Sequence, residues 1–137
     1  MADIFQVAVA NVTPLWPQLE PILAPALALT STHDPEDVRR ALLGQAAHLW
    51  IQWNGEHVEA AVVSEFVHYP RGIWVRAWLA GARDDARMDD RGFHEALMAW
   101  CKMHGCVGFE AVGRHGWLRK FPDAHAEGLV MRMRVEP

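Results

Sequence analysis

A chain of 137 residues with 51% hydrophobic residues is sized for one domain with a real core, and that composition excludes a disordered chain. Its 13 basic and 17 acidic residues give a net charge of −4, which argues against a nucleic-acid binder held by phosphate contacts. No run of 18 apolar residues exists, and the N-terminal MADIFQVAVANV has neither a basic n-region nor a cleavage pattern, so the expectation is a cytoplasmic protein without a membrane span.

Residues 3–12 alternate weakly and predict a short first strand. In TPLWPQLEPILAPALALTS, Leu15, Leu19, Ile22, Leu23, Ala26 and Leu27 form a helical stripe. Pro17, Pro21 and Pro25 cut across it at intervals of four, which predicts a kinked helix with its prolines on one, solvent-facing side. A second helix starts at Asp34, a good N-cap, with Pro35 at the first position and Glu36 and Asp37 suiting the positive end of the dipole. Val38, Leu42 and Ala46 carry it to about Ala47.

Three strands follow. His48 to Trp53 alternates, and Asn54-Gly55 is a hairpin signal because both residues tolerate positive φ. His57 to Tyr69 is long and rich in β-branched and aromatic residues, and Pro70-Arg71-Gly72 is a turn. In Ile73 to Ala80, strict alternation puts Trp74, Arg76, Trp78 and Ala80 on one face and Ile73, Val75, Ala77 and Leu79 on the other. ARDDARMDD then reads as a charged loop.

The long helix comes next. Phe93, Leu97, Trp100, Cys101 and His104 make one apolar stripe, with Asp89 or Asp90 to cap its start and Gly105 to stop it. Cys106 to Val112 alternates as a strand, Cys106, Gly108, Glu110 and Val112 against Val107, Phe109 and Ala111. Gly113 and Gly116 bracket Arg114 and His115, and Trp117, Leu118 and Phe121 predict a short helix. Leu129 to Val135 alternates again and predicts a final strand. The order predicts one domain over 1–137, with an N-terminal segment at 1–33 and the remaining elements in 34–137. The fold class is α/β (α+β), a mixed, mostly antiparallel twisted sheet with helices on both faces. The long helix serves as a parallel crossover.

Several residues could carry chemistry. Arg114 ends a strand and suits a phosphate or a carboxylate, or an ion pair with Glu110 or Asp123. His115 is an acid–base candidate or an exposed bystander. Glu110 reads as a buried partner of Arg114 or a general base, and Glu65 as a solvent-facing or catalytic carboxylate. Cys101, His104 and Cys106 form C-x-x-H-x-C, which is not zinc spacing, so no metal is expected and the two cysteines are predicted to be free thiols. The seven tryptophans are spread over every segment and read as core fillers, one or two of them left to line a groove or a partner surface.

From Asp34 onward, this order resembles the GNAT superfamily of N-acetyltransferases. The residues that carry the likeness are LW at 49–50, HYPRG at 68–72, WCKMHGC at 100–106 and VGFEAVGRHGWLRKF at 107–121. Over Leu49 to Arg119 the chain also resembles small GNAT-like proteins of tailed phages and prophages, E-x-x-G-R-x-G-W from Glu110 to Trp117 being the most specific motif. The resemblance implies a sheet splayed between the strands on either side of the long helix, with acetyl-CoA or another acyl-CoA in the V and its pyrophosphate at the helix N-terminus. The equivalent stretch, Gly81 to Gly92, lacks the family signature Q/R-x-x-G-x-G/A. It offers Gly81, Ala82, Arg83, Arg87, Arg91 and Gly92, interleaved with Asp84, Asp85, Asp89 and Asp90. By the same resemblance Glu65, Glu110 and His115 are the catalytic candidates, and Trp78, Arg114 and Trp117 the substrate or partner contacts. The family's usual tyrosine on the short helix is replaced by His115, Trp117 and Arg119, the only tyrosine being Tyr69.

Two functions follow from the resemblance. One is an acyl-CoA-dependent N-acyltransferase acting on an amine. The other is a GNAT-fold module without catalysis that binds a protein, virion-associated or inhibiting a host protein. The partners left open are a small-molecule amine, a protein, a second copy in a homodimer, or other phage proteins; nucleic acid and membrane are not expected.

Overall fold

The computed structural model describes residues 2–113, 120–121, 123–128 and 130–135. Arg114, His115 and Trp117, with most of the expected short helix, lie outside them. The elements are β1 (Asp3–Gln6), a 3-10 turn (Val9–Asn11), α1 (Val12–Leu27), α2 (Pro35–Leu43), β2 (His48–Trp53), β3 (Val58–Tyr69), β4 (Gly72–Ala82), α3 (Asp90–Met103) and β5 (Gly108–Ala111). Among the described residues no helix is long and apolar enough to cross a membrane.

The strands form one sheet in the order β1-β2-β3-β4-β5. The first four are antiparallel neighbours, and β5 runs parallel to β4 after the α3 crossover. α1 and α2 cover one face, where Leu19, Leu23, Val38, Leu49, Ile51 and Val63 are among the buried residues. α3 covers the other, packing Phe93, Leu97, Trp100 and Cys101 on Trp50, Ala60, Val62 and Val75. This is the two-faced mixed sheet that the order of elements predicts.

α1 is continuous through Pro17, Pro21 and Pro25, all of them exposed. The spacing of four explains how it survives. A helical proline leaves unpaired the carbonyl four residues back. Here those carbonyls belong to Thr13, Pro17 and Pro21, one line along the wet side, where water can take the bonds. The opposite stripe of Val12, Leu19, Ile22, Leu23 and Leu27 is buried.

α2 begins as expected, with a full capping box. Asp34 accepts the Asp37 N–H, and Asp37 accepts the Asp34 N–H, both at 2.9 Å. It ends earlier than expected, at Leu43. Gly44 forms the C-cap and Gln45 takes φ +61, which turns the chain into β2 and leaves Ala46 exposed.

The alternation expected in β4 breaks in its second half. Val63 pairs with Leu79 but Ser64 pairs with Ala77, so Trp78 is an extra residue, a β-bulge. The bulge flips the faces. Val75 and Ala77 face α3, then Leu79 joins the α1 core while Ala80 and Ala82 turn to α3. β4 also runs on to Ala82, beyond the expected end at Ala80. The backbone of α1 lies directly on it: a Cβ at Gly81 would sit 2.2 Å from the Ile22 carbonyl oxygen.

The α3 stripe is buried at Phe93, Leu97, Trp100 and Cys101, but His104 is the exposed C-cap, its ring edge-on to Trp100 at 4.7 Å. Cys101 and Cys106 are free thiols, as expected. The final strand does not form among the described residues. Residues 130–135 belong to no strand, and Met131, Met133 and Val135 are 87%, 94% and 93% exposed. Alternation makes a strand only where a partner edge takes the backbone groups.

Candidate functional site

β5 pairs with β4 only from Trp74 to Ala77. From the bulge at Trp78 to Ala82, β4 continues without it. The Arg83 N–H donates to the Glu59 carbonyl on the β3 side at 2.9 Å. Strand alternation therefore turns the N–H groups of Ala82 and Ala80 to the other edge, the one that β5 has left open. On the α3 face this edge borders a cleft lined by Ala77, Ala80, Met88, Phe93, His94 and Phe109, with Asp90 also on its wall. The lining is mostly apolar. His94 is the exception: its Nδ1 is buried without a hydrogen-bond partner among the described residues, and its ring lies 5.9 Å from Phe109 and 5.1 Å from Phe121.

On the opposite face of the same strands sits a charged row. Glu65, Arg76 and Glu110 are in register across β3, β4 and β5. Arg76 donates from Nε to Glu110 Oε1 at 3.0 Å and from Nη1 to Glu65 Oε1 at 3.3 Å. Tyr69 Oη donates to Glu110 Oε1 at 2.9 Å and accepts from Arg76 Nη2 at 3.3 Å. Burial pulls the Arg76 guanidinium down, but the Tyr69 hydrogen bond and the Glu110 and Glu65 charges together outweigh it and hold the group above its usual value. Two carboxylates share one cation, so the row has an excess negative charge. All three charged groups keep about 30% of their side-chain surface in solvent. The row can therefore receive a cationic group.

Glu65 and Glu110, expected separately, are thus brought together by Arg76 and Tyr69. Arg114 lies outside the described residues, and Glu110 already has these two partners. Trp78 is half-buried against the α1/α2 core, with its ring 4.6 Å from His33, on the face away from the cleft. Burial first, then the neighbouring Cys106, pushes the Cys101 thiol up to about 11, so it is not a nucleophile near neutral pH.

The stretch from Gly81 to Gly92 is arranged differently from the expected anion-binding loop. Gly81 and Ala82 are strand residues. Arg83 Nη2 is paired with Asp85 Oδ2 at 3.1 Å, and Arg87 and Arg91 are exposed. The α3 N-terminus already carries a carboxylate, Asp89 Oδ1 accepting the Gly92 N–H at 3.0 Å. A Cβ at Gly92 would sit 2.5 Å from Asp89 Oδ2 and from Ile4 Cδ1, so a side chain there would have to push the carboxylate or Ile4 aside. Buried Gln52, which the sequence did not single out, fixes this arrangement from β2. Its Oε1 accepts the Asp89 N–H at 2.8 Å, and its Nε2 donates to the Arg87 carbonyl at 3.0 Å and to Glu59 Oε1 at 3.2 Å. Asp90 pairs with Lys120 at 2.8 Å.

The acyl-CoA that the resemblance implies would meet two different surroundings. The open β4 edge would offer N–H groups to its amide-bearing arm. At the α3 N-terminus its pyrophosphate would meet the Asp89 carboxylate, which already holds the Gly92 amide.

No family model and no curated protein matches the sequence. Solved structures do match. A ribosomal-protein-alanine N-acetyltransferase from Brucella melitensis biovar Abortus 2308 superposes with a TM-score of 0.72 at 13% identity, over 97% of this chain and 99% of that one. An aminoglycoside acetyltransferase from an uncultured soil metagenomic sample, in complex with sisomicin, gives 0.69 at 11% identity over 99% and 96%. A predicted acetyltransferase with acetyl-CoA from Clostridium acetobutylicum gives 0.68 at 12% identity over 97% and 96%. The fold of this chain is the GNAT fold.

Proposed function

We propose that this chain is an N-acyltransferase that moves an acyl group from a thioester, acyl-CoA in the first instance, to an amine. One observation carries the reading. Where β5 leaves β4, an open edge of backbone N–H groups lies between an apolar cleft on one face and the Glu65–Arg76–Glu110 row on the other. The acyl arm would lie along that edge, its carbonyl polarised by a β4 N–H. The amine would come from the charged face. Glu110 accepts the ammonium proton, and Tyr69 and Arg76 hold its carboxylate in place. Glu65 is the second carboxylate that draws the cation in. The sisomicin-bound neighbour supports a small amine acceptor. The phage or prophage likeness of the 100–121 motifs would place the activity in a host cytoplasm.

The test is release of free thiol from acetyl-CoA with a panel of primary amines. Glu110→Gln should lower kcat by about 100-fold with KM for the amine changed little, as loss of a general base does. Unchanged kcat in that variant, or no amine-dependent thiol release by the wild type from either acetyl-CoA or S-acetylpantetheine, would remove the proposal.

A second reading is a binding module that has lost catalysis, and the Asp89 carboxylate on the α3 N-terminus favours it. The exposed apolar residues Met131, Met133 and Val135 would then belong to the partner surface. A wild type that binds no thioester, yet retains one protein from a host lysate, would favour this reading.

A further inference from the structure

We infer that Asp89 occupies the place a nucleotide diphosphate would take at α3, so that the acyl donor of this chain is a pantetheine-type thioester recognised without its diphosphate. The inference rests on the acyltransferase reading and narrows its donor. Three observations carry it. The Asp89 carboxylate is hydrogen-bonded to the Gly92 N–H at 3.0 Å, the bond an anion at this helix end would make. The backbone that carries this cap is held from the sheet, because buried Gln52 bonds the Arg87 carbonyl and the Asp89 N–H. The surrounding loop has part of its positive charge already engaged. Asp84, Asp85, Asp89 and Asp90 interleave with Arg83, Arg87 and Arg91; Arg83 is paired with Asp85, and Lys120 with Asp90.

The rest of the donor is treated differently. The N–H edge at Ala80 and Ala82 suits the amides of a pantetheine arm, which are neutral and need hydrogen bonds but no cation. Recognition would then come from the arm and the acyl group. The nucleotide end would contribute little, or be repelled.

Titration calorimetry with acetyl-CoA, S-acetyl-4′-phosphopantetheine and S-acetylpantetheine tests this, using the whole chain and the Asp89→Asn variant. Asparagine caps a helix as well as aspartate does, so α3 keeps its start while the charge is lost. Asp89→Ser is the second variant if Asp89→Asn does not fold. In the wild type the three thioesters should bind within about threefold of one another, and Asp89→Asn should tighten acetyl-CoA by about three- to tenfold while leaving S-acetylpantetheine unchanged. Acetyl-CoA binding to the wild type more than about tenfold tighter than S-acetylpantetheine would overturn the inference and leave the acyltransferase reading standing. If no thioester binds either variant, both fall. If acetyl-CoA binds only once Asp89 is neutral, the inference holds.

Discussion

The residues that bear on function fall into those whose neighbours can be counted off from a turn and those whose neighbours cannot. Arg76 and Tyr69 belong to the first kind. A turn at Pro70-Arg71 pairs Tyr69 with Gly72, and counting outward puts Glu65 opposite Arg76. The charged pair is legible in the hairpin, because the turn fixes the count from either side. Gln52 and His94 belong to the second kind. Gln52 acts on a loop 35 residues away, and His94 matters because of the strands under its helix. His48 shows how such placement sets a measurable property. Its half-buried ring lies 4.7 Å from Trp100 and 5.4 Å from Phe66, and its Nδ1 has no partner among the described residues. Burial first, then the charge of His104, holds its pKa below the ordinary value, against a smaller opposing effect from the Ser64 backbone. The unfolded chain therefore binds the proton more readily. Stability should fall as pH drops below about 6.5, where the unfolded histidine begins to protonate, and level off once the folded one does too. Urea unfolding of the wild type and His48→Phe between pH 5 and 8 measures this. The variant should lose part of the acid-side slope, and identical slopes would show that His48 does not contribute.

At the scale of elements, helices and hairpins were readable because their signals are local. The Asp34-Pro35 cap, the Asn54-Gly55 turn and the α3 stripe each lie within a few residues of the structure they specify. The β4 bulge has no such signal. It is set by the fit of Val63 and Ser64 on the neighbouring strand, and it reverses which side chains after Trp78 face which layer. It lies where β4 parts from β5, so the least readable feature of the sheet is also the one that shapes the cleft. α1 is the opposite case, where a sequence pattern hostile to helices is rescued by geometry. Pro21 leaves the Pro17 carbonyl to water on the exposed side. Pro21→Ala should restore that bond. A helical interior proline costs about 3 kcal/mol, and its rigidity in the unfolded chain returns up to about 1. A gain of about 1–2 kcal/mol is expected, read as a higher urea midpoint at unchanged m-value. A loss would mean that the prolines are packed rather than tolerated.

At the scale of the whole molecule, the described structure holds two cores back to back on one sheet, and every strand contributes to at least one of them. The C-terminal residues do not. Val130, Met131, Met133 and Val135 are between 60% and 94% exposed, and residues 130–135 pair with no strand among the described residues. Their alternation was the reason to expect a sixth strand, and it failed because periodicity says which face a residue would take if paired, not whether a partner edge is present. Position at a chain end does not by itself make a segment dispensable; the burial and pairing of its backbone decide that. A chain truncated after Gly128 should therefore unfold in urea within about 0.5 kcal/mol of the full chain, the range of changes that touch no buried group. Its m-value should fall little, because these residues bury little surface to lose. A loss well beyond that range would mean that residues 130–135 lie against the sheet in solution, and the open edge of β5 would then be where they pair.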